Sequence, residues 1–282
     1  MTRLKNVTGL VTGGASGLGK AIAQRLAADG ARVIISDVQG DLGRETAAQG
    51  SFTFLEQNVC DEEQWRQVIS EIETRFGQLN VLVNSAGIAG PMDASTPENT
   101  RLEDWRKIFA VNTEGVFLGC RAAIPAMRRA GGGSIVNISS IGGILANSSA
   151  TAYGASKAAV GHLTQSVAQY CAQERLNIRC NSVHPGAVLT PLLRDVVSGI
   201  ARSRGLTSEA VVEEIKSTVP GGELVLPEDV AAAVAFLVSA DSRQINGEKM
   251  IVDGGRVTCS GSFRGNVSVV GGGAISGSEN CG

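Results

Sequence analysis

Aromatic residues make up only 4% of this 282-residue chain, with two tryptophans and two tyrosines. So sparse a set offers no stacking platform for single-stranded nucleic acid. An excess of one charge is missing too, since 25 Lys and Arg stand against 27 Asp and Glu. The resulting net charge of -2 leaves no electrostatic footprint for nucleic acid and no polybasic face for anionic lipid. No apolar run approaches the roughly 20 residues of a membrane-spanning helix. The basic start, residues 1–6, leads into a stretch broken by Gly9, Gly13, Gly14 and Gly17, without the apolar centre of a secretory signal. Two histidines, His162 and His184, and six scattered cysteines without a C-x-x-C pair make no zinc-ligand cluster. These absences lead us to expect reduced thiols in a cytoplasmic protein, with no metal, nucleic acid or membrane among its partners.

What the chain does have is 43% apolar residues and 36 glycines, enough to bury a core and make many tight turns. Short β-branched runs at 7–11, 32–36, 52–57, 79–83, 134–138, 178–183 and 250–252 read as strands. Helical patterns intervene at 18–29, 42–48 and 62–76, with a late one at 231–239. Trp65, Val68, Ile69 and Ile72 fall on one face of the third. This alternation predicts one α/β domain over 1–255: a Rossmann-like doubly wound parallel sheet of about seven strands with helices on both faces.

The first strand runs into Thr12-Gly13-Gly14-Ala15-Ser16-Gly17-Leu18-Gly19 and then a helix. In a chain so rich in glycine the pattern alone is weak, but strand before and helix after make it a pyrophosphate site. Glycines let the main chain approach the phosphates, and the unpaired amides of the helix start favour an anion. Asp37 closes the second strand about 20 residues after Gly17, where a carboxylate accepts from ribose hydroxyls. It would repel a 2′-phosphate, and Ala15, Ser16 and Val38 supply no cation, so NAD is expected over NADP.

Tyr153-Gly-Ala-Ser-Lys157 opens another helical pattern, and residues four apart share a helix face. A free phenol titrates near ~10. A neighbouring ammonium favours its ionised form and makes it a better general base. The other tyrosine, Tyr170, has Glu174 at that spacing, which would act in the opposite sense. The strand at 134–138 ends in Ser139-Ser140, thirteen residues before Tyr153, with no Gly-x-Ser-x-Gly elbow around it. Ser140 therefore reads as a hydrogen-bond donor to a substrate oxygen, with a merely capping serine as the alternative.

At these residues the chain resembles the short-chain dehydrogenase/reductase family. The glycine motif, Asn84-Ser-Ala-Gly87, Asn112, Ser140, Tyr153, Lys157 and Pro185-Gly186 occur in the family's order over about residues 5–255. The resemblance implies that Tyr153 is the acid/base and that Lys157 binds the nicotinamide ribose and lowers the tyrosine pKa. Ser140 would orient the substrate oxygen, and Asn112 would hold a water leading from Lys157 to solvent. Gly13, Ser16, Gly17, Leu18 and Gly19 would hold the pyrophosphate, Asn58 and Val59 would border the adenine, and Asn84, Ala86 and Gly87 the adenosine-side ribose. Pro185 and Gly186 would line the cofactor, and Val188 and Thr190 would meet the carboxamide. Ser85 and Asn58 stand where the family usually has Asn and Asp. The family usually forms homotetramers through the helices near 112–129 and 153–171.

Segments 101–105, 111–120 and 178–185 look like those of bacterial hydroxysteroid and cyclic-alcohol dehydrogenases. They imply an oxidoreductase that interconverts a hydrophobic secondary alcohol and its ketone with NAD(H). The alternatives are a ketoreductase for acyl or other small carbonyl substrates, or a non-catalytic NAD-binding sensor. Residues 188–226 carry an apolar stripe, Leu189, Leu192, Leu193, Val196, Val197 and Ile200, with Gly199, Gly205, Gly221 and Gly222 as candidate hinges. They read either as a substrate lid or as an ordinary core-facing helix. The Gly- and Ser-rich stretch 256–282 reads as an appended C-terminal extension.

Overall fold

The computed structural model describes residues 3–91 and 95–259. Seven parallel strands form one sheet: β1 (Thr8–Thr12), β2 (Arg32–Asp37), β3 (Thr53–Glu56), β4 (Val81–Asn84), β5 (Gly133–Ile138), β6 (Ile178–Pro185) and β7 (Lys249–Val252). Their order is β3-β2-β1-β4-β5-β6-β7, with pairs such as Leu10 beside Leu82 and Val83 beside Val136. The winding reverses between β1 and β4, so the carboxyl ends of these two strands open a crevice at the sheet's switch point.

Alternation along each strand sends neighbouring side chains to opposite faces. Val11, Ile35, Val83 and Val183 pack beneath α1 (Gly17–Ala28) and a C-terminal helix, through Ile22, Leu26, Val234 and Leu237. Leu10, Ile34, Leu82 and Ile135 pack on the other face against Trp65, Ile72, Val116, Met127 and Val160. Both faces are covered, which is why the strands are nearly continuous apolar runs.

After α2 (Gly40–Gly50), α3 spans Glu62–Phe76, with Trp65, Val68, Ile69 and Ile72 buried as the sequence pattern predicts. Asp61 starts it by accepting from the amides of Glu63 and Gln64. Helix α4 (Leu102–Phe109) continues without a break through a wider π-type turn, Ala110–Glu114, into α5 (Gly115–Arg129). Helix α6 (Thr151–Gln173) carries the Tyr–Lys pair. Helices α7 (Pro191–Arg204) and α8 (Ser208–Ser217) lie within the expected lid. They share a small core of Val197, Ala201 and Val211, separate from the two main clusters. The stripe read from sequence is divided: Val197 is buried in that core while Leu189 and Leu192 stay exposed.

Helix α9 (Pro227–Val238) begins earlier than the expected 231, because Asp229 accepts from the Leu226 amide and Pro227 takes the first helical position. The expected fourth strand loses residues 79 and 80, since the Asn80 amide bonds Thr8 before the ladder begins. Asp253 accepts from the amides of Gly255 and Val257, closing a turn after β7. Most of the expected extension, 260–282, lies outside the described residues. No helix among the described residues is long and apolar enough to cross a membrane.

Leu82 is fully buried at the centre of the sheet. Leu82→Ala is expected to destabilise the fold by about 2–5 kcal/mol, read as a lower urea midpoint at unchanged slope.

Candidate active site

The crevice is built by main chains in close contact. Gly13 has φ 66°, and a Cβ there would lie 2.8 Å from Ala86 Cα. The Thr12 hydroxyl accepts from the amides of Ser85 (3.1 Å) and Ala86 (3.2 Å), holding the loop after β4 against the loop after β1. At the start of α1, Ser16 makes no side-chain bond to the first amides of the helix. Those amides and the helix dipole favour an anion beside Gly17, Leu18 and Gly19. Asp37 is buried alongside, its two oxygens accepting from Ala15 (3.1 Å) and Gln39 (3.0 Å). Each oxygen keeps lone-pair capacity for a further donor. Val38, the next residue, is 62% exposed and carries no charge.

The other expected cofactor residues divide by where their side chains go. Asn84 turns inward, donating to Asn137 Oδ1 at 2.8 Å. Asn58 is exposed and accepts from Cys60 within its own turn, beside buried Val59. Gly186 donates to Val252 at the end of β6, and a Cβ on it would lie 3.1 Å from Asp253 Cα. Val188 is bridged to Val225, and Thr190 caps α7 by accepting from Leu193. A Cβ on Gly17 would lie 3.5 Å from Thr190 Cβ, so the loop after β6 comes over the glycine loop.

The chemical end lies across the crevice. Lys157 is buried, and its Nζ donates to the Ile138 carbonyl at 3.0 Å. Burial pulls this ammonium down to about 8, so the charged form still dominates at neutral pH. Its Nζ is 5.8 Å from the centre of the Tyr153 ring. Burial pushes the Tyr153 phenol above its ordinary range, and a hydrogen bond from Ser140 opposes that shift. In the chain by itself burial is the larger influence on the phenol, and the group that opposes it is Ser140, not the expected Lys157. The Ser140 oxygen also accepts from the Gly142 amide at 3.0 Å, so this serine caps its turn and faces Tyr153 at once.

Asn112 is fully buried in the π-type turn. Its amide pairs with both main-chain groups of Ile88 (2.9 Å each) and donates to Ser156 Oγ at 3.1 Å. A Cβ on Gly87 would sit 3.3 Å from Asn112 Oδ1 and 3.4 Å from Lys157 Nζ, so these three groups are directly apposed.

Several residues escaped the sequence reading. Ser139 donates to the Lys157 carbonyl at 2.8 Å, and Ser156 to the Tyr153 carbonyl at 2.7 Å. Gly143 lies flush on α6, where a Cβ would come within 2.6 Å of the Ala158 nitrogen. The doublets Ser139-Ser140 and Gly142-Gly143 were the available signal, but only the tertiary contact gives them meaning.

A doubly wound sheet with an anion-ready glycine loop at its switch point, and a Tyr–Lys pair facing it, defines a class of dinucleotide-dependent oxidoreductases. Residues 13–256 match a family model described as enoyl-(acyl carrier protein) reductase. The chain is 37% identical over 253 residues to a 3-beta-hydroxysteroid dehydrogenase of Comamonas testosteroni, covering 89% of this chain and 96% of that protein. It is also 37% identical to a cyclopentanol dehydrogenase of the same species, covering 90% and 98%. An NADP-dependent (R)-specific alcohol dehydrogenase of Lentilactobacillus kefiri is 36% identical, covering 90% and 97%. The chain belongs to the short-chain dehydrogenase/reductase family, whose members use a nicotinamide cofactor, NAD or NADP.

Gly143→Ala must push the turn carrying Ser140 away from α6. Turnover is expected to fall about ten- to a hundred-fold, with cofactor affinity measured by fluorescence little changed. Native turnover in a folded Gly143→Ala protein would contradict the importance of that contact.

Proposed function

We propose that this protein interconverts a hydrophobic secondary alcohol, of hydroxysteroid or cyclic-alcohol type, and its ketone with NAD(H). The observation that carries the reading is the meeting of Ser140 and Tyr153 at Gly142, where a Cβ would lie 3.4 Å from both Ser140 Oγ and Tyr153 Cε1, one helical turn from the buried Lys157 ammonium. The residues present fit a dinucleotide, which supplies the hydride acceptor for alcohol oxidation or the donor for ketone reduction. The residues that would hold it are Gly13, Ser16, Gly17, Leu18, Gly19, Asp37, Asn58, Val59, Asn84, Ala86, Gly87, Pro185, Gly186, Val188 and Thr190, with Tyr153 and Lys157.

In the oxidation direction Tyr153 Oη takes the proton of the substrate hydroxyl, and in reduction it returns one. Ser140 steadies the substrate oxygen by a hydrogen bond and favours the ionised phenol. Lys157 places a positive charge beside that phenol and offers its remaining N–H groups to a ribose. Asn112 holds the 87–88 turn against Lys157 through Ile88, and with Ser156 it fixes the first turn of α6. Any water it holds on the path from Lys157 would have to share an amide already engaged by protein groups.

The apolar side chains beyond β6 support the substrate class. Leu189 and Leu192, on either side of Thr190, are exposed, and the segment 190–193 holds no Arg or Lys to clamp a carboxylate. Three relatives act, by their names, on a 3-beta-hydroxysteroid, cyclopentanol and an (R)-specific alcohol. A steroid 3- or 17-hydroxyl is the preferred candidate within this class. The α7–α8 pair, with its own small core, serves as the lid over a single domain of residues 1–255. The exposed Phe117 and Tyr170 on α5 and α6 suit a homotetramer built on those helices.

Reduction of NAD at 340 nm against a panel of steroids and cyclic alcohols tests the activity. Tyr153→Phe is expected to lower turnover at least ~100-fold while NADH still binds; equal turnover would remove Tyr153 from the mechanism. Asp37→Ser combined with Val38→Arg should move the ratio of kcat/KM for the two cofactors toward NADP. An unchanged ratio would count against the ribose role of Asp37.

A further inference from the structure

His184 is 1% exposed near the end of β6, and nothing in the chemistry above uses it. Its Nδ1 lies 3.1 Å from the main-chain carbonyl of Ser140, and its Nε2 lies 2.9 Å from Ser182 Oγ. A carbonyl oxygen can only accept, so Nδ1 carries a hydrogen. In the neutral ring Nε2 is then the acceptor, and the Ser182 hydroxyl, which also lies 3.2 Å from the Glu248 carbonyl, turns its one hydrogen to the nearer Nε2. Burial and the charges of Lys249 on β7 and Lys157 on α6 hold the imidazole below its ordinary titration range. Glu248 faces this group through its carbonyl, which accepts from the Ser182 amide at 2.9 Å. Gly161 on α6 borders the ring, since a Cβ there would be in contact with His184 Cε1 at 3.4 Å.

The peptide that His184 holds is the one that aims the Ser140 hydroxyl. The last rung between β5 and β6 is the Ser139 amide on the Val183 carbonyl at 2.8 Å. One residue further on, the chain leaves the sheet. There the Ser140 carbonyl accepts from the Gly143 amide at 3.0 Å and from His184 Nδ1, while Ser140 Oγ accepts from Gly142.

We infer that His184 is a positioning residue whose Nδ1–H ties the Ser140 carbonyl to β6 and so directs the Ser140 hydroxyl at the Tyr153 phenol. The inference rests on the proposed roles of Ser140 and Tyr153. Losing this donor frees the Ser140 peptide to rotate, weakens the bond that favours the ionised phenol, and moves the phenol's titration to higher pH.

Two substitutions separate this role from packing. In His184→Asn the side-chain amide nitrogen can stand where Nδ1 stands, whereas in His184→Gln it reaches the Nε2 position toward Ser182. His184→Gln is expected to lose at least about ten-fold in kcat with KM and NADH affinity within about two-fold. The midpoint of kcat/KM against pH for alcohol oxidation should rise. His184→Asn should keep kcat within about three-fold of native, with the midpoint unmoved. Equal behaviour of the two variants, or an unmoved midpoint in His184→Gln, overturns the inference. Nitrogen-15 spectra of the native protein test it without any change at His184, with His162→Gln assigning the two rings. An Nδ1–H tautomer at His184 supports the inference, and an Nε2–H tautomer overturns it. Tyr153→Phe run alongside keeps the two levels apart. If it is as active as native, the proposed chemistry fails; if it is inactive while His184→Gln is native-like, only the role of His184 fails.

Discussion

The site depends on one close apposition: the turn leaving β5 lies main chain to main chain against the first turns of α6. Gly143 sits where no Cβ could, against Lys157 and Ala158, and Gly154 faces the Gly142 carbonyl in the same way. Ser139 adds a hydrogen bond to the Lys157 carbonyl. Ser140 and Tyr153 come from separate elements, so their hydroxyls meet only if this joint is tight. A displacement of even one ångström there would separate the groups.

The joint in turn rests on the sheet. Parallel strands carry their carboxyl ends to one edge, and the reversal between β1 and β4 opens that edge into a crevice. The glycine loop and Asp37 occupy one side, and Ser140 with Tyr153 and Lys157 the other. Between them, Gly87 touches Asn112 and Lys157, and the π-type turn widens the helix where Asn112 must turn inward. The buried ammonium gives up part of its basicity to be there, a cost consistent with a functional group.

Much of this was legible in the chain because it depends on local pattern. The bounds of α3 and its buried face followed from a strong 3.6-residue period. The positions of Tyr153, Lys157, Ser140 and the glycine loop followed from spacing next to recognisable strands. What escaped depends on contacts distant in sequence. The role of Gly143 is invisible without α6 beside it, and the side chain of Asn84 turns toward Asn137, 53 residues away. The apolar stripe of α7 was read as one face. Part of it instead makes a private core with α8, while Leu189 and Leu192 remain exposed. Periodicity reports that a face is apolar, not what covers it.

The central claim is that the Ser140 hydroxyl, held by this joint, favours ionisation of a phenol that burial disfavours. Because the chain has two tyrosines, Tyr170→Phe leaves Tyr153 alone to titrate. Phenolate absorbance near 295 nm would follow it in the NAD-saturated protein, with and without Ser140→Ala. The account predicts a higher midpoint when Ser140 is replaced. An identical midpoint in the two proteins would contradict it.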